Sequence, residues 1–226
     1  MDEENIRLIR KQLRSPRSAA FAGILFSVLM FVSIALMSNV TEVLPEDINR
    51  QWLESWSGTA SAVLTMVPFA GIAFLWFTGV IRDWLGDRED RFFATIFLGS
   101  SIVLVAMMFV WAAIVGAIFG SYTAYLLVND DVIIFGFKLM SEIIGNYVVL
   151  MAGVFMLSIG SLWIRTGAAP RWLTVITYIV ALGFLIFAGS AGEARFIFPG
   201  WVFLVSVYIL ILNYRMDIEE RARRQG

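Results

Sequence analysis

The hydrophobic pattern along the chain consists of long apolar runs separated by short polar segments. Six runs contain no Asp, Glu, Lys or Arg and are long enough to cross a bilayer as helices, which takes about 20 residues. The predicted transmembrane helices lie at residues 19–37, 58–81, 92–119, 144–164, 172–189 and 198–214. No linker or low-complexity segment divides them. We therefore expect one all-α polytopic membrane domain over residues 1–226.

The first run follows a basic segment, Arg7 to Arg17, an arrangement that secretory signal peptides share. The run is long for the apolar part of a signal peptide, and no small-residue cleavage pattern follows it. We therefore predict a retained transmembrane helix.

Basic residues are concentrated on one side of the predicted bundle. Fourteen of the 17 Lys and Arg residues lie in the N-terminal segment, the 82–91 loop, the 165–171 loop and the C-terminal segment. The other three are Arg50, Lys138 and Arg195. Because cytoplasmic loops of membrane proteins are enriched in Lys and Arg, this asymmetry predicts six spans with both termini in the cytoplasm. The expected location is a bacterial plasma (inner) membrane.

The ends of the predicted spans carry further boundary signals. A GAAP turn between Arg165 and Arg171 predicts an antiparallel hairpin of the fourth and fifth helices. Tryptophan prefers the membrane–water interface because its ring is apolar and its N–H is polar. The tryptophans near predicted span ends are Trp56, Trp84, Trp163, Trp172 and Trp201.

A short outer interfacial helix is predicted at about residues 45–56, before the second span. Pro45 suits the first position of a helix, and Trp52 shares one apolar face with Ile48 and Trp56 at a spacing of four. One interpretation makes this helix, with Trp52, a lid over a cavity that opens outward. The other makes it an interfacial helix that covers the ends of its neighbours, and we favour that interpretation.

The segment from Val132 to Ser141 allows two interpretations. It can continue into the fourth span as one long helix, or lie along the outer interface, which we favour. Lys138 and Glu142 are four residues apart and can pair in either case. Within a membrane they would be functional candidates, since charged residues there are costly.

Composition excludes several functional classes. Apolar residues make up 59% of the chain and charged residues 15%, against about 45–50% and 25% in soluble domains. The chain has no cysteine and no histidine, which removes the commonest metal and haem ligands and the usual general base. Charge-free spans also lack the groups that proton relays and ion-coupled carriers use. We therefore expect neither an enzyme nor a cofactor. Separately, Pro68 predicts a kink in the second span, because proline removes a backbone donor.

The loop after the second span contains the sequence GVIRDWLGDR, which starts at Gly79. It resembles the loop motif G-x-L-x-D-R-x-G-R-R of the major facilitator superfamily, with Gly79, Asp83 and Gly86 at matching positions. Trp84 stands where that family has a basic residue, and six helices are half of its twelve. The resemblance implies a transporter. A local interpretation is that Gly86 ends one helix and the acidic residues around Asp83 form a charge-paired loop.

Three segments together resemble an uncharacterised family of bacterial six-helix integral membrane proteins. They are VPFAGIAFLWFTGVIRDWLGDREDRFFATIFLGSS from Val67, RTGAAPRWL from Arg165 and FPGWVFLVSVYIL from Phe198. The resemblance covers about a third of the chain directly and implies a multi-pass bundle, with no activity attached to it.

The function that these observations favour is non-catalytic: an accessory subunit, a scaffold or a lipid-binding protein. The alternative is a carrier or channel for a neutral or lipophilic solute, acting as a dimer. Expected partners are membrane lipids and either a second copy of the chain or another membrane protein, and no nucleic acid. The candidate functional residues are Lys138, Glu142, Trp52, Pro68 and Asp83.

Overall fold

The computed structural model describes residues 16–42, 50–85, 91–120, 130–167, 169–187 and 194–225, and the secondary-structure elements in these ranges are all helices. We number them α1 (Pro16–Glu42), α2 (Arg50–Leu85), α3 (Arg91–Gly120), α4 (Asp130–Glu142), α5 (Val148–Thr166), α6 (Arg171–Phe187) and α7 (Ala194–Gln225). A π-helical turn, Ile143–Tyr147, joins α4 to α5.

Five of the described helices are long and apolar enough to cross a membrane: α1, α2, α3, the joined α4–α5 rod and α7. This confirms an all-helical fold with the composition of a membrane bundle. The fifth predicted span corresponds to α6, which has only 17 residues. At about 1.5 Å per residue α6 measures roughly 26 Å, against about 30 Å for the hydrocarbon core. Six spans therefore stay a prediction.

The prediction of a separate outer helix at 45–56 is wrong for the part that is described. Residues 50–56 are the first turns of α2, which continues without a break to Leu85 and passes through Pro68. The polar stretch after Trp52 does not interrupt the helix, because its serines bond to their own helix. Ser55 Oγ donates to the Trp52 carbonyl and Ser57 Oγ to the Glu54 carbonyl, each at 2.7 Å. Residues 45–49 lie outside the described ranges.

The interpretation of Val132–Ser141 as an interfacial segment is also wrong. It belongs to α4, which is continuous with α5 as a rod of 36 residues, Asp131–Thr166. The cause is an apolar face that packs against α3: Ile133, Phe137 and Met140 are buried at helical spacing. The ring of Phe137 meets that of Phe119 on α3 edge to face, with centroids 6.1 Å apart.

The hairpin predicted between the fourth and fifth helices is confirmed as the α5–α6 turn. Gly167 has φ 66°, in the left-handed region where a side chain is strained, and its N–H donates to the Trp163 carbonyl at 2.9 Å. Pro170 then precedes the first residue of α6. The two helices pack closely because glycines of α5 face α6: a Cβ on Gly153 would lie 3.2 Å from the Ala181 carbonyl oxygen.

The helices form a bundle in which α1 packs between α2 and α7, α3 joins α2 to α5, and α6 packs on α5. α1 and α7 are antiparallel, since Gly23 approaches Ser206 while Phe31, later in α1, contacts Phe196, earlier in α7. We call the end of the bundle at which α1 ends and α2 begins the outer end, following the orientation predicted from the basic residues.

Candidate functional site

The residues predicted as functional candidates do not form one site. Trp52, Lys138 and Glu142 lie on the first turns of α2 and on α4, which contact each other through Trp52 and Phe137, with ring centroids 6.1 Å apart. Asp83 lies at the opposite end of α2, roughly 45 Å away at about 1.5 Å per residue. Pro68, between them, has an exposed side chain.

Trp52 is half-buried and packs against the apolar core. Its ring lies edge to face on Phe137, one residue before Lys138. Lys138 and Glu142 are both exposed, and the structure does not bring them into an ion pair. The Asn146 amide in the π-helical turn donates to the Glu142 carboxylate instead. The described contacts therefore fit a helix-packing role for Trp52.

The acidic loop after α2 falls mainly outside the described residues. Asp83 is exposed at the end of α2. Asp87, Glu89 and Asp90 lie in the 86–90 segment, outside the described residues. Within the described ranges, no group of three or more Asp and Glu residues is close enough to hold a metal ion.

Aromatic rings fill the centre of the bundle, with one ring from each of five helices. The members are Phe26 of α1, Phe74 of α2, Phe97 of α3, Phe155 of α5 and Phe198 of α7, and we call them the aromatic core. Their centroids are 4.7 Å apart for Phe26 and Phe74, 5.1 Å for Phe74 and Phe155, and 4.7 Å for Phe97 and Phe155. Offset and edge-to-face contacts at such distances are favourable for aromatic pairs. These five rings therefore pack against one another in the middle of the described bundle.

Two of the tryptophans near predicted span ends, Trp163 and Trp201, are buried against other helices of the bundle. Trp163 and Trp201 are only 4% and 5% exposed, and their rings lie 6.0 Å apart. The Trp201 indole N–H donates to Thr177 Oγ1 of α6 at 2.9 Å, which satisfies a buried donor. Trp172, by contrast, is exposed as expected at the start of α6.

Hydroxyl groups tie α6 to the bundle at a second place. Ser161 Oγ of α5 and Tyr178 Oη of α6 are 2.8 Å apart and share a hydrogen bond. Most other buried hydroxyls bond to carbonyls of their own helix, such as Ser27 Oγ to the Gly23 carbonyl at 2.7 Å. The Ser161–Tyr178 bond therefore joins α5 to α6, whereas the bonds within one helix satisfy buried hydroxyls locally.

An apolar groove of about 310 Å³ runs along the outside of the bundle between α1 and α7. Its lining residues are Ser27, Val28, Phe31 and Val32 of α1 and Pro199, Gly200 and Phe203 of α7. Both helices are long and apolar enough to cross a membrane, and the groove opens on the outside of the bundle between them.

One charged residue lies at the outer end of this groove. The guanidinium carbon of Arg195 is 5.5 Å from the centroid of the Phe196 ring, and that ring contacts Phe31 in the groove wall at 5.0 Å. Arg195 Nε is buried and finds no hydrogen-bond partner among the described residues. A buried donor without a partner is costly, so this nitrogen needs an acceptor from outside the described part of the chain.

Sequence reasoning identified neither the aromatic core nor the groove. The core phenylalanines are dispersed over five apolar runs in which almost every position is apolar, so no pattern distinguishes them. Arg195 was visible as one of three basic residues on the outer side, and this isolation was its only signal.

The chain matches no protein-family model, no curated protein and no solved structure. Its function therefore has to be inferred from the contacts of its own residues. The two features that bear on function are the aromatic core inside the bundle and the apolar groove outside it, with Arg195 beside the groove.

Proposed function

We propose that this protein is a non-catalytic integral membrane protein that binds lipid and serves as an accessory or scaffold bundle. The observation that carries the proposal is the aromatic core. Rings from five helices meet at the middle of the bundle, where a carrier or channel needs a binding site or a pore. The groove, in contrast, lies on the surface that faces lipid.

The proposal includes six spans with both termini in the cytoplasm of a plasma membrane. α6 would be the short fifth span, tied to its neighbours by the Trp201–Thr177 and Ser161–Tyr178 hydrogen bonds. Its exposed face consists of large apolar side chains, Val175, Ile179 and Ile186 among them, which suit lipid, a second copy or a membrane partner.

The orientation has a direct test because the chain has no cysteine of its own. Gln51→Cys and Arg171→Cys each place one thiol at an exposed site, at opposite ends of the bundle. A membrane-impermeant maleimide added to intact cells is expected to label the cysteine at 51 and not that at 171. Labelling of both from the same side would contradict the proposed topology, and lysed cells serve as the control for reactivity.

Reconstitution into liposomes separates the proposal from its alternative, a carrier or channel for a neutral or lipophilic solute. We expect the purified protein to leave the permeability to glycerol and other small neutral solutes within twofold of protein-free liposomes, because the aromatic core closes the bundle. Stopped-flow light scattering measures this permeability.

The matched control for that measurement is Phe155→Ala in the same liposomes, which removes the central ring without adding charge. Saturable flux through the wild-type protein would replace the proposal with the carrier. A change of that flux in Phe155→Ala protein that keeps the wild-type helix content would place the path at the aromatic core.

A further inference from the structure

We propose that the groove between α1 and α7 holds one acyl chain of an anionic phospholipid, and that Arg195 binds the phosphate of the same molecule. This rests on the proposed lipid-binding function and names its ligand class and site. It assigns a role to a side chain for which neither the fold nor the helix packing provides one.

The groove has the size and chemistry of a ligand site for an apolar chain. Its volume of about 310 Å³ is at the lower end of the range of about 300–1,000 Å³ for small-molecule pockets. Ser27 contributes the single hydroxyl of the lining, and that hydroxyl is turned back to the Gly23 carbonyl of its own helix. No polar group of the wall is therefore directed at an occupant, which suits a hydrocarbon chain.

Arg195 lies where the headgroup of such a lipid would lie. Residues 195, 199 and 203 of α7 are spaced by four and share a helix face, so Arg195 is about one turn beyond Pro199, toward the outer end. The Phe196 ring contacts both the guanidinium group and Phe31 in the wall, and so connects the charge to the groove. Along α7 Arg195 precedes the groove residues Pro199 and Phe203, so a phosphate bound to Arg195 would leave the acyl chain directed inward along the groove.

The guanidinium group of Arg195 has a hydrogen-bond donor that the described residues do not satisfy. Its Nε is buried without a hydrogen-bond partner among the described residues, and its guanidinium carbon lies 5.5 Å from the centroid of the Phe196 ring. Arginine presents several N–H donors in a fixed geometry that matches phosphate oxygens. A phosphate oxygen would satisfy the buried Nε donor, and the acyl chain would fill the apolar volume beside it. Zwitterionic lipid carries the same phosphate but adds a cation that an arginine repels, so an anionic headgroup is favoured.

The test is native mass spectrometry of the full-length protein, delipidated in detergent and then incubated with phosphatidylglycerol or phosphatidylcholine of the same chain length. Wild-type protein is expected to retain one phosphatidylglycerol more tightly than phosphatidylcholine. Arg195→Gln is expected to weaken retention of phosphatidylglycerol about tenfold, equivalent to about 1.4 kcal/mol for the lost charge-assisted hydrogen bond, and to abolish the preference between the two lipids. Arg171→Gln is the matched control, since Arg171 is exposed at the start of α6 and away from the groove, and it is expected to bind as wild type.

A second variant tests the acyl chain site without touching the charge. A Cβ on Gly200 meets no atom within 4 Å, so Gly200→Leu extends into the groove and not into the protein core. It is expected to weaken retention of both lipids at least fivefold. Gly183→Leu on α6 is its control, because Gly183 also has open space at Cβ and does not line the groove.

The outcomes separate this site from the proposed function as a whole. If wild-type protein retains no lipid, the lipid-binding function itself fails. If lipid is retained and neither Arg195→Gln nor Gly200→Leu weakens it relative to the controls, the function stands and the site is wrong. Unfolding midpoints of all four variants, each expected close to wild type, exclude loss of structure as the cause.

Discussion

Phe155→Ala is expected to cause the largest loss of stability of any single truncation in the bundle. Phe155 is fully buried at 0% exposure, and its ring contacts Phe74, Phe97, Phe198 and Trp201. Truncation removes ring contacts to three helices, α2, α3 and α7, at once. In lipid the transfer term for apolar groups is small, so the cavity and the lost dispersion contacts dominate the cost. A void on the order of 80–100 Å³ at about 24 cal/mol per Å³ implies about 2 kcal/mol from the cavity alone.

The measurement is the free energy of unfolding in mixed micelles, followed by circular dichroism as the fraction of denaturing detergent is raised. Phe135→Ala on α4 is the matched control, because Phe135 is 65% exposed and its truncation leaves no cavity. We expect the control to change the free energy of unfolding by less than about 0.5 kcal/mol, as is usual for surface substitutions. Equal effects of the two substitutions would show that the aromatic core does not hold the bundle together.

Gly23→Ala is the second substitution with a large expected effect. An added Cβ would lie 2.0 Å from Ser206 Oγ of α7 and 2.8 Å from Cδ2 of Phe77 on α2. The Ser206 hydroxyl can rotate, but the Phe77 ring is fully buried and has no free space. Overpacking of this kind costs about 1–3 kcal/mol, because α1 must move away from both neighbours.

A matched control exists for the intrinsic effect of alanine in a helix. Gly79 of α2 has no atom within 4 Å of a built Cβ, so Gly79→Ala is expected to stabilise by up to about 1 kcal/mol through helix propensity alone. Gly23→Ala is expected to lower the free energy of unfolding and Gly79→Ala to raise it. Measuring both in the same micelles tests the close approach at Gly23. Ser206→Ala combined with Gly23→Ala should recover part of the loss and leave the part due to Phe77. Stabilisation by Gly23→Ala would contradict the packing of α1 against α2 and α7.

The helices that matched the sequence prediction most closely are those with clear polar boundaries. The third span was predicted at 92–119 and α3 is Arg91–Gly120, since charged residues precede the apolar run. The first span was predicted at 19–37, and α1 extends five residues further, to Glu42. A helix continues past an apolar run when nothing ends it, and Ser38 and Thr41 bond to carbonyls of their own helix.

The segments on the outer side of the predicted membrane were interpreted less well, for a physical reason. Residues 50–56 and 130–142 have the amphipathic pattern of interfacial helices, and amphipathicity alone does not distinguish a membrane surface from a protein partner. In the structure these segments extend α2 and the α4–α5 rod, and Trp52 and Phe137 bury their rings against each other. The apolar face of residues 130–142 packs on α3, and Phe137 also meets the Trp52 ring at the start of α2. These partners lie in other helices, so the pattern of the segment itself does not identify them.

By itself the sequence determined that the chain is helical, that it is a membrane protein by composition, and where most helices begin and end. Those properties depend on local hydrophobicity and backbone geometry, which act within a single segment. The tertiary structure alone decided which phenylalanines meet, which tryptophans are interior, and that Arg195 lies at the end of an apolar groove. In a span that is apolar on all sides, no polar face marks the surface that packs against other helices. The shapes of the side chains decide which surface packs, as in the close approach of Gly23 to Ser206 and the meeting of five aromatic rings.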